Sequence, residues 1–543
     1  LYGYYFDGAD STWTRYDSDG KKDMDTPQPK LQSLGDNLQD AYRNHYFRIQ
    51  TDYERSFGDN NVTATGVFSR RIAQGILDFP HYEEDWVGRV TYNYNLKYFI
   101  ESSIAYTGSE KFAPGLRYGT FPSVATGWAV SKENFFKTAF PWVNQFKIRY
   151  SLGQVGSDNG IDRWKYISEY TSNNYGAAFG YPFTYYPTIN EGDIPVTDAT
   201  WETGIKQNLG FEMGFFKDMI TLNVDLYNEK RINILQDRMR VPAWLGAGTI
   251  QANIGSTKSH GFEIDLGFNK TFYNGLNLFA TANFSANESR VVYYDEPATK
   301  AFNLKVEGKP VEIASGINSY TPTSGVLVEG YYQNMDELFM AAKASGVAAQ
   351  TGDHLYLDFN GDGNIDAQDY IVAKHPYAPA ITWNTKIGAN YKNWNARVDF
   401  YGISDVQYQM RQGGMFYLYP FSQNKNNALT AHADYWTPEN TDASYPTVHY
   451  NPEVSNPNYR FSSFSNVDGK YVRLKNIRVG YQFKADALKN IGVSNVEMAL
   501  TGTNLFTWTD YPLGGDPEGA NSGTDFGAYP QLRRYTLELK IVF

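Results

Sequence analysis

The sequence predicts an all-β protein, a large antiparallel transmembrane β-barrel with long extracellular loops. Three observations predict it: a strictly alternating C-terminal segment, hairpins closed by tight turns, and long polar connections between those hairpins. The last nine residues, Tyr535-Thr536-Leu537-Glu538-Leu539-Lys540-Ile541-Val542-Phe543, put apolar or aromatic side chains at every odd position and Thr, Glu, Lys and Val at the even ones. Period two gives a strand two unlike faces. One apolar face and an aromatic last residue suit an outer-membrane barrel, where that face meets lipid and the other a wet lumen.

The same alternation recurs along the chain. Val90, Tyr92 and Tyr94 lead through Leu96-Lys97 into a strand at 98–106. Leu209, Phe211, Met213 and Phe215 share one face, opposite Gly210, Glu212 and Gly214. A turn at Lys217-Asp218 then returns Ile220, Leu222, Val224 and Leu226, alternating with Thr221, Asn223, Asp225 and Tyr227. Phe262, Ile264, Leu266 and Phe268 pair with Leu278, Ala280, Ala282 and Phe284 across Asn274-Gly275, the strongest short hairpin signal. Ile387, Ala389 and Tyr391 face Ala396, Val398 and Phe400 across Lys392-Asn393. Ile477, Val479, Tyr481 and Phe483, then Val496, Met498 and Leu500, complete the series. The expectation is roughly 14 to 18 strands, with no helical period and no solenoid or propeller repeat.

Between the hairpins lie polar connections at 171–200, 288–325, 404–470 and 506–532, rich in Gly, Asn, Ser, Tyr and Pro. Short turns at one end and long loops at the other are the asymmetry of an outer-membrane barrel. So many loops beyond about 15 residues count against a compact soluble domain. A soluble sandwich also alternates, and on pattern alone it stands as the alternative.

Composition is compatible with both. Mean hydropathy is −0.51, but barrels hide in such averages because only alternate residues face lipid. The 44 Tyr, 34 Phe and 11 Trp make 16% of the 543 residues; Tyr and Trp suit a membrane boundary, although a glycan-binding β-protein could be as aromatic. A net charge of −11 argues against a nucleic-acid partner. The absence of cysteine excludes disulfides, thiolate catalysis and Cys-ligated metal. No run of about 18 apolar residues offers a membrane-spanning helix. The chain opens at Leu1 in an aromatic-polar stretch without a secretory signal, as expected of a processed protein or a piece of a longer one.

One segment has metal-ligand spacing. In Asp358-Phe359-Asn360-Gly361-Asp362-Gly363-Asn364-Ile365-Asp366-Ala367-Gln368-Asp369, side-chain oxygens of Asp358, Asn360 and Asp362 fall at positions 1, 3 and 5 of a calcium loop. Gly363 permits the sharp turn, Asn364 offers its carbonyl, Asp366 acts through water and Asp369 closes the loop where a Glu is usual. The shorter Asp369 weakens the site or favours a smaller ion, so Ca²⁺ is the expected structural ion and Mg²⁺ its alternative. The competing reading is an Asx-turn-rich loop that binds nothing.

Catalytic signals fail. His45, His81, His260, His354, His375, His432 and His449 form no H-E-x-x-H pair and are expected in loops or lumen. There is neither a G-x-S-x-G elbow nor a phosphate loop. The acid pairs Glu83-Glu84 and Asp336-Glu337 are expected in solvated loops. The Tyr-rich stretches 172–187 and 415–427 are candidates for stacking on sugar rings, or equally for packing on themselves or a partner. No substrate-binding residue is assigned.

Several segments resemble the SusC-like family of TonB-dependent transporters. The stretch 88–135 is similar to its hallmark of strand, short turn, strand and F-A-P-G-x-R-x-G-x-F-P-S-x-x-x-G-W, here Phe112 to Trp128. WETGIKQNLGFEMGFF (201–216), YVRLKNIRVGYQF (471–483) and GTNLFTWTDYPLGGDPE (502–518) match later family segments in order, and many members carry a D-x-N-G-D-G-x-I-D loop. The resemblance implies an outer-membrane active importer of glycans or oligopeptides and no enzyme activity. TonB would act through a plug, and a SusD-like surface lipoprotein would cap the mouth, in dimers of transporter–lid pairs. Family members have an N-terminal extension, a TonB box, a plug and 22 strands. The first three are not recognisable here, so residues 1–543 are expected to be the C-terminal part of such a barrel, with about 4 to 8 strands supplied from elsewhere. The rival readings are a passive outer-membrane porin and a secreted calcium-binding glycan hydrolase.

Overall fold

The computed structural model describes residues 3–7, 12–16, 42–75, 79–242, 250–311, 325–344, 348–371, 375–376, 378–410, 419–420, 427–449, 457–483, 492–511, 516–519 and 531–543. Two compact units divide the chain: Leu1–Arg48 with Ser69–Glu84, and Ile49–Phe68 with Asp85–Phe543. The first holds a hairpin of β1 (Gly3–Asp7) and β2 (Thr12–Tyr16), and parts of β3 (Tyr42–Phe57), β4 (Asn60–Gly75) and β5 (His81–Tyr94).

The second holds the rest of those three and every later strand. In chain order these are β6 (Tyr98–Ser109), β7 (Tyr118–Trp128), β8 (Val143–Ser157), β9 (Tyr170–Phe179), β10 (Thr184–Glu191), β11 (Glu202–Phe215), β12 (Ile220–Asp237), β13 (Gln251–Thr271) and β14 (Leu276–Tyr293). Then come β15 (Val328–Tyr331), β16 (His354–Tyr356), β17 (Ile381–Tyr391), β18 (Trp394–Ser404), β19 (Gln407–Gln409), β20 (Asn466–Asp468), β21 (Tyr471–Phe483), β22 (Asn495–Thr509) and β23 (Arg534–Val542). Fifteen strands form one meandering sheet, from β3 at one end of the order to β23 at the other. The pairs β9–β10, β15–β16 and β19–β20 are separate two-stranded sheets within the connections. From β6 to β23 the large sheet is antiparallel throughout.

Register explains the alternation. Ile148, Phe211, Val224, Ile264 and Phe284 lie in one row across five strands, and Phe146, Met213, Leu222, Leu266 and Ala282 in the next. A further row runs Leu278, Ala389, Ala396, Val479, Leu500, Leu537. These side chains are not buried in a core: Leu500 is 58% and Leu537 70% exposed. Continuous apolar rows left open on one face of a sheet suit hydrocarbon as the surrounding medium, not water.

The hairpins form where expected, with different turn lengths. Lys392-Asn393 is a two-residue turn, Lys392 taking positive φ. Of the other three expected dipeptides, Lys217-Asp218 and Asn274-Gly275 sit inside four-residue loops, 216–219 and 272–275, and Leu96-Lys97 inside a three-residue one, 95–97. Phe216, Lys217 and Asp218 all have positive φ, and Gly275 donates its N–H back to Phe272 at 2.9 Å. Around this end lie exposed aromatics: Trp142, Phe216, Tyr273, Trp394, Phe483 and Phe543. Trp142 packs on Phe215 and Phe216 with ring centres 5.7 Å apart, and Trp394 on Tyr481 at 4.8 Å. Such a ring of aromatics marks a membrane–water boundary.

At the opposite end the connections 158–201, 294–380, 405–470 and 510–533 are long. Several expectations change there. Residues 170–191 are a β-hairpin rather than an irregular loop, and β14 and β22 run on into what read as loop. Two short helices, α1 (Asn134–Ala139) and α2 (Met335–Met340), interrupt the all-strand pattern. Asp336 and Glu337 form the first turn of α2, capped by Asn334 Oδ1 accepting from the Glu337 N–H, where negative charge is favoured. Glu83 and Glu84 lie in β5, not in a loop.

Candidate functional site

The face opposite the apolar rows carries the charge. Arg149 of β8 reaches Glu212 of β11 at 3.0 Å and Asp225 of β12 at 2.7 Å, and Asn208 also donates to Asp225. Arg478 of β21 spans to Glu497 at 2.9 Å and Glu538 at 3.4 Å. Arg89 grips Glu101 with two parallel bonds of 2.9 and 2.7 Å. Every pair joins neighbouring or next-neighbouring strands, so the polar residues brace one another across the sheet, leaving a hydrophilic wall.

The quoted motifs converge in space. Phe112 and Phe121 pack on Trp201 with ring centres 5.0 and 5.5 Å apart, in a buried cluster with Ile161, Val196 and Leu235. The Trp201 indole N–H donates to the Arg117 carbonyl at 3.2 Å. Gly156 must be glycine, because a Cβ there would lie 1.9 Å from the Phe121 ring. The YVRLK and GGDPE segments also meet: Arg473, almost wholly buried, binds Asp516 at 2.5 Å and Glu518 at 2.6 Å, and Lys475 shares Glu518. Sequence spacing gave no sign of this network, whose partners lie some forty residues apart.

The long connections build a core of their own. Val326, Tyr356 and Ile365 form one cluster, and Met410 with Tyr419 another. Asp353 and His354 lie at the buried centre. Asp353 accepts from His449 Nε2 and from Asn458 Nδ2, and the His354 ring packs against Tyr331 and Phe464. Tyr419, expected among sugar-contacting residues, is buried here with Pro420; of the stretch 415–427, residues 415–418 and 421–426 lie outside the described residues. His260 also departs from expectation, lying on the apolar side of β13.

Burial pushes the His354 imidazole down from 6.5 to about 3, so the folded protein holds it neutral. Below pH 6.5 the unfolded chain takes up a proton that the folded loops refuse, so stability falls as pH drops from about 6.5 towards 3. Amide exchange across 353–371 is expected to accelerate over that window. His354→Phe, which keeps the ring packing and removes the titrating group, should weaken the acid dependence; an unchanged slope would contradict this assignment.

The expected metal loop is well ordered. Asp358 accepts from the N–H groups of Gly361 and Gly363 at 2.7 and 2.8 Å, and Asp362 from that of Asn364 at 2.8 Å. The Asn364 N–H, with the Asn360 side-chain amide, holds the Asp362 carboxyl below its usual range. Asn360 accepts from the Asp362 N–H and Asp366 from the Gln368 N–H. Asp369, buried, accepts from Phe359 at 2.9 Å and Asp366 at 2.8 Å. Gly361 and Gly363 take positive φ, and Ile365 anchors the loop in the Val326 cluster. No group of three or more acidic or histidine side chains poised for a metal occurs among the described residues. The Asp358, Asp362 and Asp366 oxygens that accept one N–H retain a second lone-pair site that a hard cation could use, whereas Asp369 Oδ1 already accepts from both Phe359 and Asn360.

The β9–β10 hairpin carries the other sequence candidates. Tyr175, Tyr181, Phe183, Tyr185 and Ile189 are exposed, Tyr181 to 96%. Tyr175 and Tyr185 meet edge to face at 5.5 Å.

An antiparallel wall with apolar rows on one face, charge on the other, short aromatic-rimmed turns at one end and long folded connections at the other defines an outer-membrane β-barrel protein. No protein-family model matches the chain. It is 27% identical over 484 residues to TonB-dependent receptor P3 of Formosa agariphila, covering 84% of this chain and 45% of that protein. It is 26% identical over 480 residues to the TonB-dependent receptor SusC of Bacteroides thetaiotaomicron, covering 84% and 43%. The chain thus spans a little under half the length of these relatives. Its fold matches the RagAB peptide transporter with a TM-score of 0.67, over 92% of this chain and 55% of that one, at 19% identity. By sequence the chain is thus similar to TonB-dependent receptors of the SusC kind, and by fold to the RagAB transporter. They are receptors and transporters by name.

Proposed function

We propose that this chain is the C-terminal barrel section of a TonB-driven importer of glycans or oligopeptides, working beneath a SusD-like surface lipoprotein. The two-faced wall carries this reading: apolar rows open on one side, and cross-strand ion pairs such as Arg149–Asp225 on the other. The relatives' greater length supports a plug and further strands elsewhere in a longer protein. Those strands would cover the edges of β3 and β23, since an uncovered edge in lipid leaves backbone groups unsatisfied. The exposed aromatic hairpin is the candidate surface for cargo or lid.

The test is uptake of labelled oligosaccharides and oligopeptides by cells carrying the full-length protein, with and without TonB. Cargo entry that stops without TonB is the expected result, and the cargo class that enters names the substrate. Steady ionic conductance in a planar bilayer without TonB would support a passive porin and overturn the reading.

Calcium, with Mg²⁺ as the alternative ion, is proposed as a structural ligand of Asp358, Asn360, Asp362, Asn364, Asp366 and Asp369. It would neutralise four carboxylates in one short loop. Adding Ca²⁺ is expected to raise Tm and slow amide exchange at 358–369, and Asp369→Ala to abolish both effects. No response to either ion would favour an Asx-turn loop that works without metal.

A further inference from the structure

The outward face of the wall changes character toward the loop end. Leu226, Phe262 and Ala286 form one row across β12, β13 and β14. The next outward row is Asn228, His260 and Glu288, and the one beyond it is Lys230, Lys258 and Arg290. By strand parity these cations share the face of Leu222, Val224 and Ile264. All three side chains are exposed.

Lys230 stands directly opposite Lys258, and Lys258 opposite Arg290. Like charges facing each other across an antiparallel pair repel. Arg290 is paired with Glu288 and donates to the Gly308 carbonyl at 2.7 Å. Among the described residues, no carboxylate lies within ion-pair distance of Lys230 or Lys258. The Lys230–Lys258 pair is therefore unfavourable until an anion sits on it, whereas Arg290 already has Glu288 beside it.

Height identifies the anion. From Ile220, beside the aromatic-rimmed turn, to Lys230 is about 33 Å along the strand at ~3.3 Å per residue. At a tilt of about 40° this rises roughly 25 Å, the height of the apolar band a barrel presents to lipid. The cations thus lie where hydrocarbon gives way to headgroups on the loop side. Beside Arg290 opens a cavity of about 350 Å³, lined by Phe262, Ala286, Pro379 and Ile381 and also by the polar side chains of Glu288, Arg290 and Asp405.

We propose that Lys230, Lys258 and Arg290 bind the phosphate of an outer-leaflet glycolipid, with part of an acyl chain in the adjoining cavity. The apolar part of the lining, Phe262 and Ala286, continues the lipid-facing rows, so a phosphorylated amphiphile places its chain there and its phosphate on the cations. A soluble anion would use only the cations.

The experiment uses the full-length protein in detergent, titrated with diphosphoryl lipid A, with its dephosphorylated form and with inorganic phosphate, read by native mass spectrometry and thermal shift. Diphosphoryl lipid A is expected to bind and raise Tm, and the dephosphorylated form to bind much more weakly. Lys230→Gln with Lys258→Gln should weaken binding about 25-fold, at roughly fivefold per lysine near a lipid surface. Lys230→Arg with Lys258→Arg should restore it. Heat-modifiable migration on gels verifies that each variant is folded, and Lys386→Gln on the polar face should leave binding unchanged. Equal binding of the dephosphorylated lipid, or unaltered binding by the glutamine variant, would overturn the proposal. So would inorganic phosphate binding as tightly as the lipid, which would assign the row to a soluble anion.

Discussion

Replacing Ile264 with arginine is expected to destabilise the barrel by about 2–4 kcal/mol, the cost of a cation facing lipid at mid-bilayer. Ile264 lies in the row of Phe211, Val224 and Phe284, roughly midway between the aromatic-rimmed turns and the Lys230 row. Leu222 and Leu266 face each other on the same apolar face. Register places them one row nearer the turns, so their arginine variants should cost less, tending toward about 1 kcal/mol near the boundary. Asn223, between Leu222 and Val224 on the opposite face, should tolerate exchange with little loss. Denaturant unfolding of the full-length protein in lipid vesicles measures all of these. Equal tolerance at Ile264 and Asn223 would show that the apolar rows do not face hydrocarbon.

Arg473→Ala is the second large effect, about 3 kcal/mol, at the lower end of the cost of breaking a buried ion pair from one side. The guanidinium is nearly inaccessible and holds both Asp516 and Glu518, while its Nε–H donates to Thr507 at 2.9 Å. Glu518 keeps Lys475 as a partner, which limits the loss. Among the described residues Asp516 then keeps only backbone donors, the N–H groups of Glu518 and Gln531, and its charge is left without a counter-ion. Faster amide exchange at 516–519 together with a lower Tm is the expected signature. Arg473→Ala combined with Asp516→Asn should recover part of the loss, because the stranded charge is removed with its partner.

Much of the wall was legible because membrane strands are written in period two, and rows such as Leu209 to Leu226 repeat that pattern on both partners. Turn lengths were less legible. Asn274-Gly275 reads as a two-residue hairpin, yet Phe272 and Tyr273 join the loop and only Gly275 takes positive φ. Strand length was underread at the loop end for a physical reason. Above the apolar rows the outward face becomes Lys230, Lys258 and Arg290, so alternation in hydrophobicity stops while backbone pairing continues. The mouth core was invisible because Val326, His354, Ile365, Tyr419 and Asn458 belong to different short segments, none with a period of its own. The motifs around Phe112, Trp201 and Arg473 were recognisable only as likeness, and the structure supplies their reason: they tie connections to the wall.

The interior that the connections make for themselves separates two demands on the same stretch of chain. Residues such as Asp353, His354 and Asn458 set the frame of the entrance, while the tyrosines at the tip of β9–β10 stay free of it. Changes at that tip alter what the rim touches without re-forming its foundations. Under the import function proposed above, recombinant grafting of residues 170–191 between relatives is expected to carry cargo preference with it.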